Sequence, residues 1–242
     1  MTIKQILILV GFSIVGGFLA VTLPTQWWMV LVGTLFALLI IFNYYLSNYN
    51  QFLRFLILGI VLASFELFSV MTGWPYGLFS YTDLFKPLLF GLPVSMLFIW
   101  PTVILGCNYV AKKILARHNL AGKINGLILT VLLVIGADLI IDPGAVQMGL
   151  WQWDVVGPYY GIGIQNFIGW GLFGVLGWLL VRWFKIDSVE PHMLGLLMLL
   201  AFWSSYCLIS TLWIPAMFGF LLCLVFFSTS NAAESKFLNH TV

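Results

Sequence analysis

Eight apolar stretches follow one another along the chain, over residues 5–22, 27–46, 53–73, 88–111, 123–142, 163–184, 192–209 and 212–230. Each is close to the roughly 20 residues that a helix needs to cross the hydrocarbon core of a bilayer. Only the segment from Ser210 to Pro215 separates the last two, which become one bent element, and the total seven, if that break is not a true one. None of the stretches alternates polar and apolar residues as the strands of a membrane barrel do. A backbone in lipid must satisfy its own hydrogen bonds, so the pattern predicts an all-α, polytopic transmembrane helical bundle of about eight helices. Residues 1–242 read as a single integral membrane domain. The first run follows Lys4 as a signal peptide would, but no small-x-small cleavage site stands near Ala20, and it is read as a retained helix.

Composition agrees with this and removes other classes. Of 242 residues, 62% are hydrophobic and 7% charged, too few charges to give a water-soluble globule its polar shell. A net charge of +2 offers no basis for binding nucleic acid. Cys107, Cys207 and Cys223 stand singly in apolar runs and read as small buried hydrophobes. The basic residues set the orientation. If Lys112, Lys113, Arg117 and Lys123 lie in a cytoplasmic loop, alternation places Lys4, Arg54, Arg182, Lys185 and Lys236 on the same side and Lys86 alone outside, a split of nine to one. The expectation is a multi-pass protein of the cell membrane with both termini in the cytoplasm.

Three carboxylates break the apolar pattern. Glu66 lies inside the third run, and Asp138 and Asp142 lie at the end of the fifth, one helical turn apart and so on one helix face. An ionisable side chain at membrane depth is costly to bury, which makes these three the candidate catalytic groups. With the orientation above, all three fall in the outer leaflet. Asp187, Glu190 and Glu234 fall on the cytoplasmic side and read as solvated loop charges. A metal site would want histidine or cysteine beside the acids, yet His118, His192 and His240 map to the opposite side, so no histidine-ligated metal is expected. The chain also has no glycine-rich phosphate loop, dinucleotide fingerprint or Ser-His-Asp set, and no cofactor is expected.

The two outer segments beside these acids are aromatic and nearly uncharged. Residues 73–87 include Trp74, Tyr76, Tyr81 and Asp83; residues 143–162 include Trp151, Trp153, Tyr159 and Tyr160. One reading is an aromatic belt at the lipid headgroups. The other is a pair of re-entrant loops folded over the outer leaflet to line an apolar pocket. Aromatic faces beside carboxylates have a chemical use there, because an acid can protonate an alkene and the rings can stabilise the cation that results. Asn166, near the outer start of the sixth run, is placed to order Asp142 or a water molecule, or to serve as a packing hydrogen bond. Trp178, Trp183 and Trp203 are expected away from this site, in belt or packing roles.

Several of these residues fall into ordered motifs: Glu66 followed by Thr72-Gly73-Trp74-Pro75-Tyr76-Gly77 and Tyr81; Leu92-Pro93-Val94 with Trp100; Asp138, Asp142-Pro143, Trp151-Gln152-Trp153, Tyr159-Tyr160-Gly161, Asn166-Phe167 and Gly169-Trp170. Over roughly residues 60–185 this string resembles the integral membrane carotenoid-biosynthesis proteins that include bisanhydrobacterioruberin hydratase and γ-carotene hydratase. The resemblance implies an enzyme that adds water across the terminal trisubstituted double bond of an acyclic carotenoid end group, without redox change. Its partners would be the lipid bilayer, the carotenoid itself and other enzymes of the same pathway, and substrate would enter laterally between helices. On that reading Asp138, kept protonated by desolvation and by its neighbour Asp142, gives a proton to the less substituted alkene carbon, and Glu66 holds the water that captures the tertiary cation. Trp74, Tyr76, Tyr81, Trp151, Trp153, Tyr159, Tyr160, Asn166 and Trp170 are the expected substrate-binding residues.

Other readings use the same residues differently. A lycopene cyclase would generate the same cation but let an internal double bond capture it. A small transporter or substrate-binding subunit would use the embedded acids to hold a cation or proton, although such proteins often carry internal repeats and none is seen here. A purely structural membrane protein leaves Asp138 without a purpose.

Overall fold

In the computed structural model, residues 11, 15–23, 35, 48–186 and 190–238 are described. Residues 15–22 are helical, and the expected span 27–46 lies outside the described residues except for residue 35. Six long helices follow: α1 (Tyr49–Thr72), α2 (Met96–Arg117), α3 (Lys123–Met148), α4 (Ile164–Trp183), α5 (Glu190–Ile209) and α6 (Trp213–Leu238). The helical bundle expected from the sequence is therefore present, with seven helical segments among the described residues. Four of them, α1, α3, α4 and α5 from His192 onward, are long and apolar enough to cross a membrane. Ile57, Ile60 and Phe68 of α1, Ile128 and Leu132 of α3, and Leu179 of α4 point outward, a surface suited to hydrocarbon.

Local chemistry explains where these elements begin and end. Helix α1 starts four residues before the expected span because the Asn48 side chain accepts hydrogen bonds from the backbone N–H groups of Asn50, at 3.0 Å, and Gln51, at 3.4 Å. Gly73, at φ 73°, and Gly149, at φ 76°, end α1 and α3 in the left-handed conformation that glycine adopts without steric cost. The last two apolar runs are separate helices divided at residues 210–212.

Two boundaries differ from the sequence reading. Residues 88–93, expected inside the fourth span, form a hairpin of β2 (Leu88–Leu89) and β3 (Leu92–Pro93), turning at Phe90 and Gly91, both with positive φ. A short apolar run fits a strand as readily as a helix, and the turn chemistry decides. Helix α3 also continues past Asp142-Pro143 to Met148. Proline removes the N–H that would bond the Leu139 carbonyl. The Tyr159 hydroxyl supplies the missing donor, at 2.9 Å, which lets the helix run on.

The helices pack in sequence, α1 on α2, α2 on α3 and α3 on α4, while α5 fits against α2, α3 and α6. Gly144 permits the α3–α5 contact, since a Cβ there would stand 2.6 Å from the Trp203 ring. At one end of the bundle the α1–α2 and α3–α4 connections meet. Strand β1 (Phe79–Tyr81) of the first pairs antiparallel with β4 (Trp151–Trp153) of the second, in the register Phe79–Trp153, Ser80–Gln152 and Tyr81–Trp151. The aromatic connections thus fold over the helix ends as one two-stranded lid, as the re-entrant reading expected.

Candidate active site

Beneath the lid lies a cavity of about 50 Å³, counted as room for the centre of a water molecule. Its walls come from every neighbouring element: Glu66 from α1, Met96, Ile99 and Trp100 from α2, Ile141 and Asp142 from α3, Asn166 and Trp170 from α4, and Leu199 and Trp203 from α5. Tyr76, Phe79, Tyr81, Phe85, Trp151 and Trp153 close it from the lid side. The pleat explains how so few lid residues supply so many rings. Alternate side chains face the same way, so Ser80 and Gln152 turn outward while the four aromatic residues of β1 and β4 turn in.

Two polar groups sit in this aromatic chamber. In the first, the Tyr81 hydroxyl donates to Glu66 Oε1 at 2.7 Å, tying the lid to α1. Desolvation, together with the adjacent Glu66 charge, pushes the Tyr81 phenol well above its ordinary range, so it stays protonated and a donor. In the second, Asn166 Nδ2 reaches Asp142 Oδ2 at 2.6 Å and Asp138 Oδ1 and Oδ2 at 3.2 and 3.1 Å. One α4 amide thereby holds both aspartates of α3, which the helical repeat had already put on one face. Asp142 is on the cavity wall; Asp138 is wholly buried and does not line the cavity. Glu66 and Asp142 both line this one chamber.

The rings are packed against one another. Trp100 lies 4.6 Å from Trp170 and 4.7 Å from Phe173 between ring centroids, and Phe79 stacks on Trp153 at 5.9 Å. Three polar atoms on cavity residues have no hydrogen-bond partner among the described residues: Glu66 Oε2, Tyr76 OH and Trp100 Nε1. On the far side of Tyr76 and Trp153 a broader groove of about 680 Å³ opens between Thr72–Leu78 and residues 153–165, with Trp74, Val155, Pro158 and Ile164 in its wall.

The family model for carotenoid biosynthesis proteins matches residues 25–226. The chain belongs to that family. A bisanhydrobacterioruberin hydratase from Haloarcula japonica is 35% identical over 164 residues, covering 62% of this chain and 54% of the relative. The chain thus spans about half the length of that curated relative. No solved structure matches the chain. The family membership and the apolar helices together make this a membrane protein of carotenoid biosynthesis, with a relative named as a hydratase.

Of the residues singled out in the sequence, the cavity brings together Glu66, Asp142, Tyr76, Tyr81, Trp151, Trp153, Asn166 and Trp170. The others lie elsewhere. Trp74 is 59% exposed and belongs to the outer groove. Tyr159 is engaged with the Leu139 carbonyl, and Tyr160 packs beside Cys207, Leu212 and Ala216. Asp83 forms an exposed ion pair with Lys86 at 3.3 Å. Trp203 is the main correction, since it was expected away from the site and forms part of the cavity wall. Its signal was Gly144, two residues after Asp142, whose missing side chain makes room for the indole. Trp178 and Trp183 lie outside the cavity, the first stacked on the Arg182 guanidinium at 3.4 Å and the second exposed.

Proposed function

We propose that the protein is a carotenoid hydratase, adding water to the terminal trisubstituted double bond of an acyclic carotenoid end group. The observation that carries this is the placement of two carboxylates, Glu66 and Asp142, on the wall of one aromatic chamber closed off by a lid. A carotenoid is far too long for a chamber of this size, so only the end of the chain enters it. The groove that shares Tyr76 and Trp153 with the chamber is where the remaining polyene extends toward the lipid. The enzyme is cofactor-independent in this reading, because hydration needs only a proton, a water and a place for the charge.

In the protonated form, Asp142 donates its proton to the less substituted alkene carbon, with Asp138 and Asn166 holding it in place. This exchanges the roles within the aspartate pair relative to the sequence reading, because Asp142 is the member that reaches the chamber. The tertiary cation is shielded by Trp151, Trp153, Trp170 and Tyr76, whose faces present negative charge density. Water attacks the cation, a C–O bond forms, and the proton lost from oxygen goes to Glu66. Return of that proton to the aspartate pair restores the starting state, so the sum is alkene plus water to tertiary alcohol. The protein is multi-pass, with its termini in the cytoplasm, and it works beside other carotenoid-pathway enzymes.

The test is product analysis in membranes supplied with lycopene. The unmodified protein should give a product heavier by one water, and Asp142→Asn and Glu66→Gln should each lower its yield at least tenfold, the loss typical of removing a positioned acid or base. Near-normal yield from both variants removes the proposal, and a cyclic product of unchanged mass replaces it with a cyclase.

A further inference from the structure

Three unpartnered polar atoms converge on the small chamber, and their chemistry is specific. The large majority of buried side-chain polar atoms in proteins have a hydrogen-bond partner, so three orphans on the wall of one cavity point to a polar occupant. Glu66, Tyr76 and Trp100 are each only 3% exposed, so bulk solvent does not serve them. The Tyr76 hydroxyl and the Trp100 indole both approach the Glu66 carboxylate without closing a hydrogen bond of good geometry. A space of about 50 Å³ is ample for a water, at roughly 10–15 Å³ per water on the same measure.

Building on the hydratase reading, we infer that Trp100 Nε1, Tyr76 OH and Glu66 Oε2 form the cradle that holds and aims the reacting water. The donor inventory fixes the orientation. An indole N–H can only donate, and an ionised carboxylate can only accept. A water lodged between them takes a hydrogen bond from Trp100 with one lone pair and gives one hydrogen to Glu66. Tyr76 takes the other hydrogen. The second lone pair is left free for the cation, and the hydrogen held by Glu66 is the one released when the C–O bond forms. Trp100 therefore binds the water substrate, while its ring, fixed by Trp170 and Phe173, keeps the N–H in place.

Deuterium oxide separates protonation from capture. In it the unmodified protein should convert an acyclic carotenoid to the tertiary alcohol carrying one deuterium on the adjacent carbon. In Trp100→Phe, which keeps an aromatic ring but loses the N–H, protonation continues while capture is poorly aimed. The cation then loses a proton and returns as deuterated or double-bond-shifted alkene. The ratio of alcohol to labelled alkene should fall about tenfold, the effect of one hydrogen bond expressed at the capture step. Tyr76→Phe should shift the ratio the same way by a smaller factor, and it decides the matter if Trp100→Phe does not accumulate in membranes. An unchanged ratio in whichever variants accumulate overturns the water cradle. Absence of both alcohol and label with the unmodified protein overturns the hydratase reading instead.

Discussion

Asn166 offers the sharpest test of how the aspartate pair is held. Its amide has two N–H groups for three contacts: one goes to Asp142 Oδ2 at 2.6 Å and the other divides between Asp138 Oδ1 and Oδ2, at 3.2 and 3.1 Å. Asn166→Leu keeps the side chain's approximate volume and removes both donors. A hydrogen bond to a charged group contributes about 1.5–3 kcal/mol. Counting the short Asp142 bond alone, and taking it as fully expressed in the reaction, hydration should slow by about 10- to 150-fold at 1.36 kcal/mol per decade. The longer, divided bond to Asp138 should appear mainly as lost stability. The assay is yield of hydrated carotenoid per amount of membrane-inserted protein, set beside thermal unfolding of the purified protein in detergent. Hydration within threefold of the unmodified rate at equal protein would refute the idea that this amide positions the acid.

Two further predictions concern the lid and the ring beneath it. Tyr81→Phe removes the 2.7 Å bond to Glu66, leaving neither carboxylate oxygen with a partner among the described residues. It should lower stability by roughly 1–3 kcal/mol, read as an earlier unfolding transition in detergent, and reduce hydration with it. Gly169→Ala puts a Cβ 2.7 Å from Tyr76 Cε1 and closer still to Cδ1, so the ring must move from its place on the chamber wall. Such overpacking costs about 1–3 kcal/mol, and hydration per folded protein should fall at least severalfold; an unchanged rate would show that the Tyr76 position is not critical.

Much of the bundle was legible because membrane helices announce themselves by length and apolarity. The three acids stood out for the same reason, and their spacing correctly put Asp138 and Asp142 on one face. What the pattern left out depends on contacts distant in sequence. Pro143 reads as a helix end until Tyr159, sixteen positions on, supplies a donor to the Leu139 carbonyl. Residues 88–93 read as helix because an apolar run carries no period of its own. Trp100 was legible only as part of a motif, and Trp203 sits on a helix that looks nearly uniformly apolar, where no repeat of polar positions marks the face turned to the site. Only the packing of α2 and α5 against α3 shows that both indoles reach the cavity wall. Asp142 and Asp138 are alike in sequence, and only the folded structure shows that Asp142 lines the cavity and Asp138 does not.

The division of labour in the site also explains why two separate connections must pair. The helices supply the carboxylates and the amide, whereas six of the cavity's aromatic side chains belong to the lid. Strands β1 and β4 are three residues long, so their register rests on few hydrogen bonds and on the side chains they turn inward. A slip of one residue would carry Ser80 and Gln152 into the chamber and turn Phe79, Tyr81, Trp151 and Trp153 out of it. The hydroxyl that Tyr81 gives to Glu66 works against such a slip, because only the observed register brings that residue to the carboxylate. The bond that anchors Glu66 is thus the same bond that keeps the four lid rings facing inward. Strand register in the lid and placement of the Glu66 carboxylate are for this reason coupled through one side chain, Tyr81.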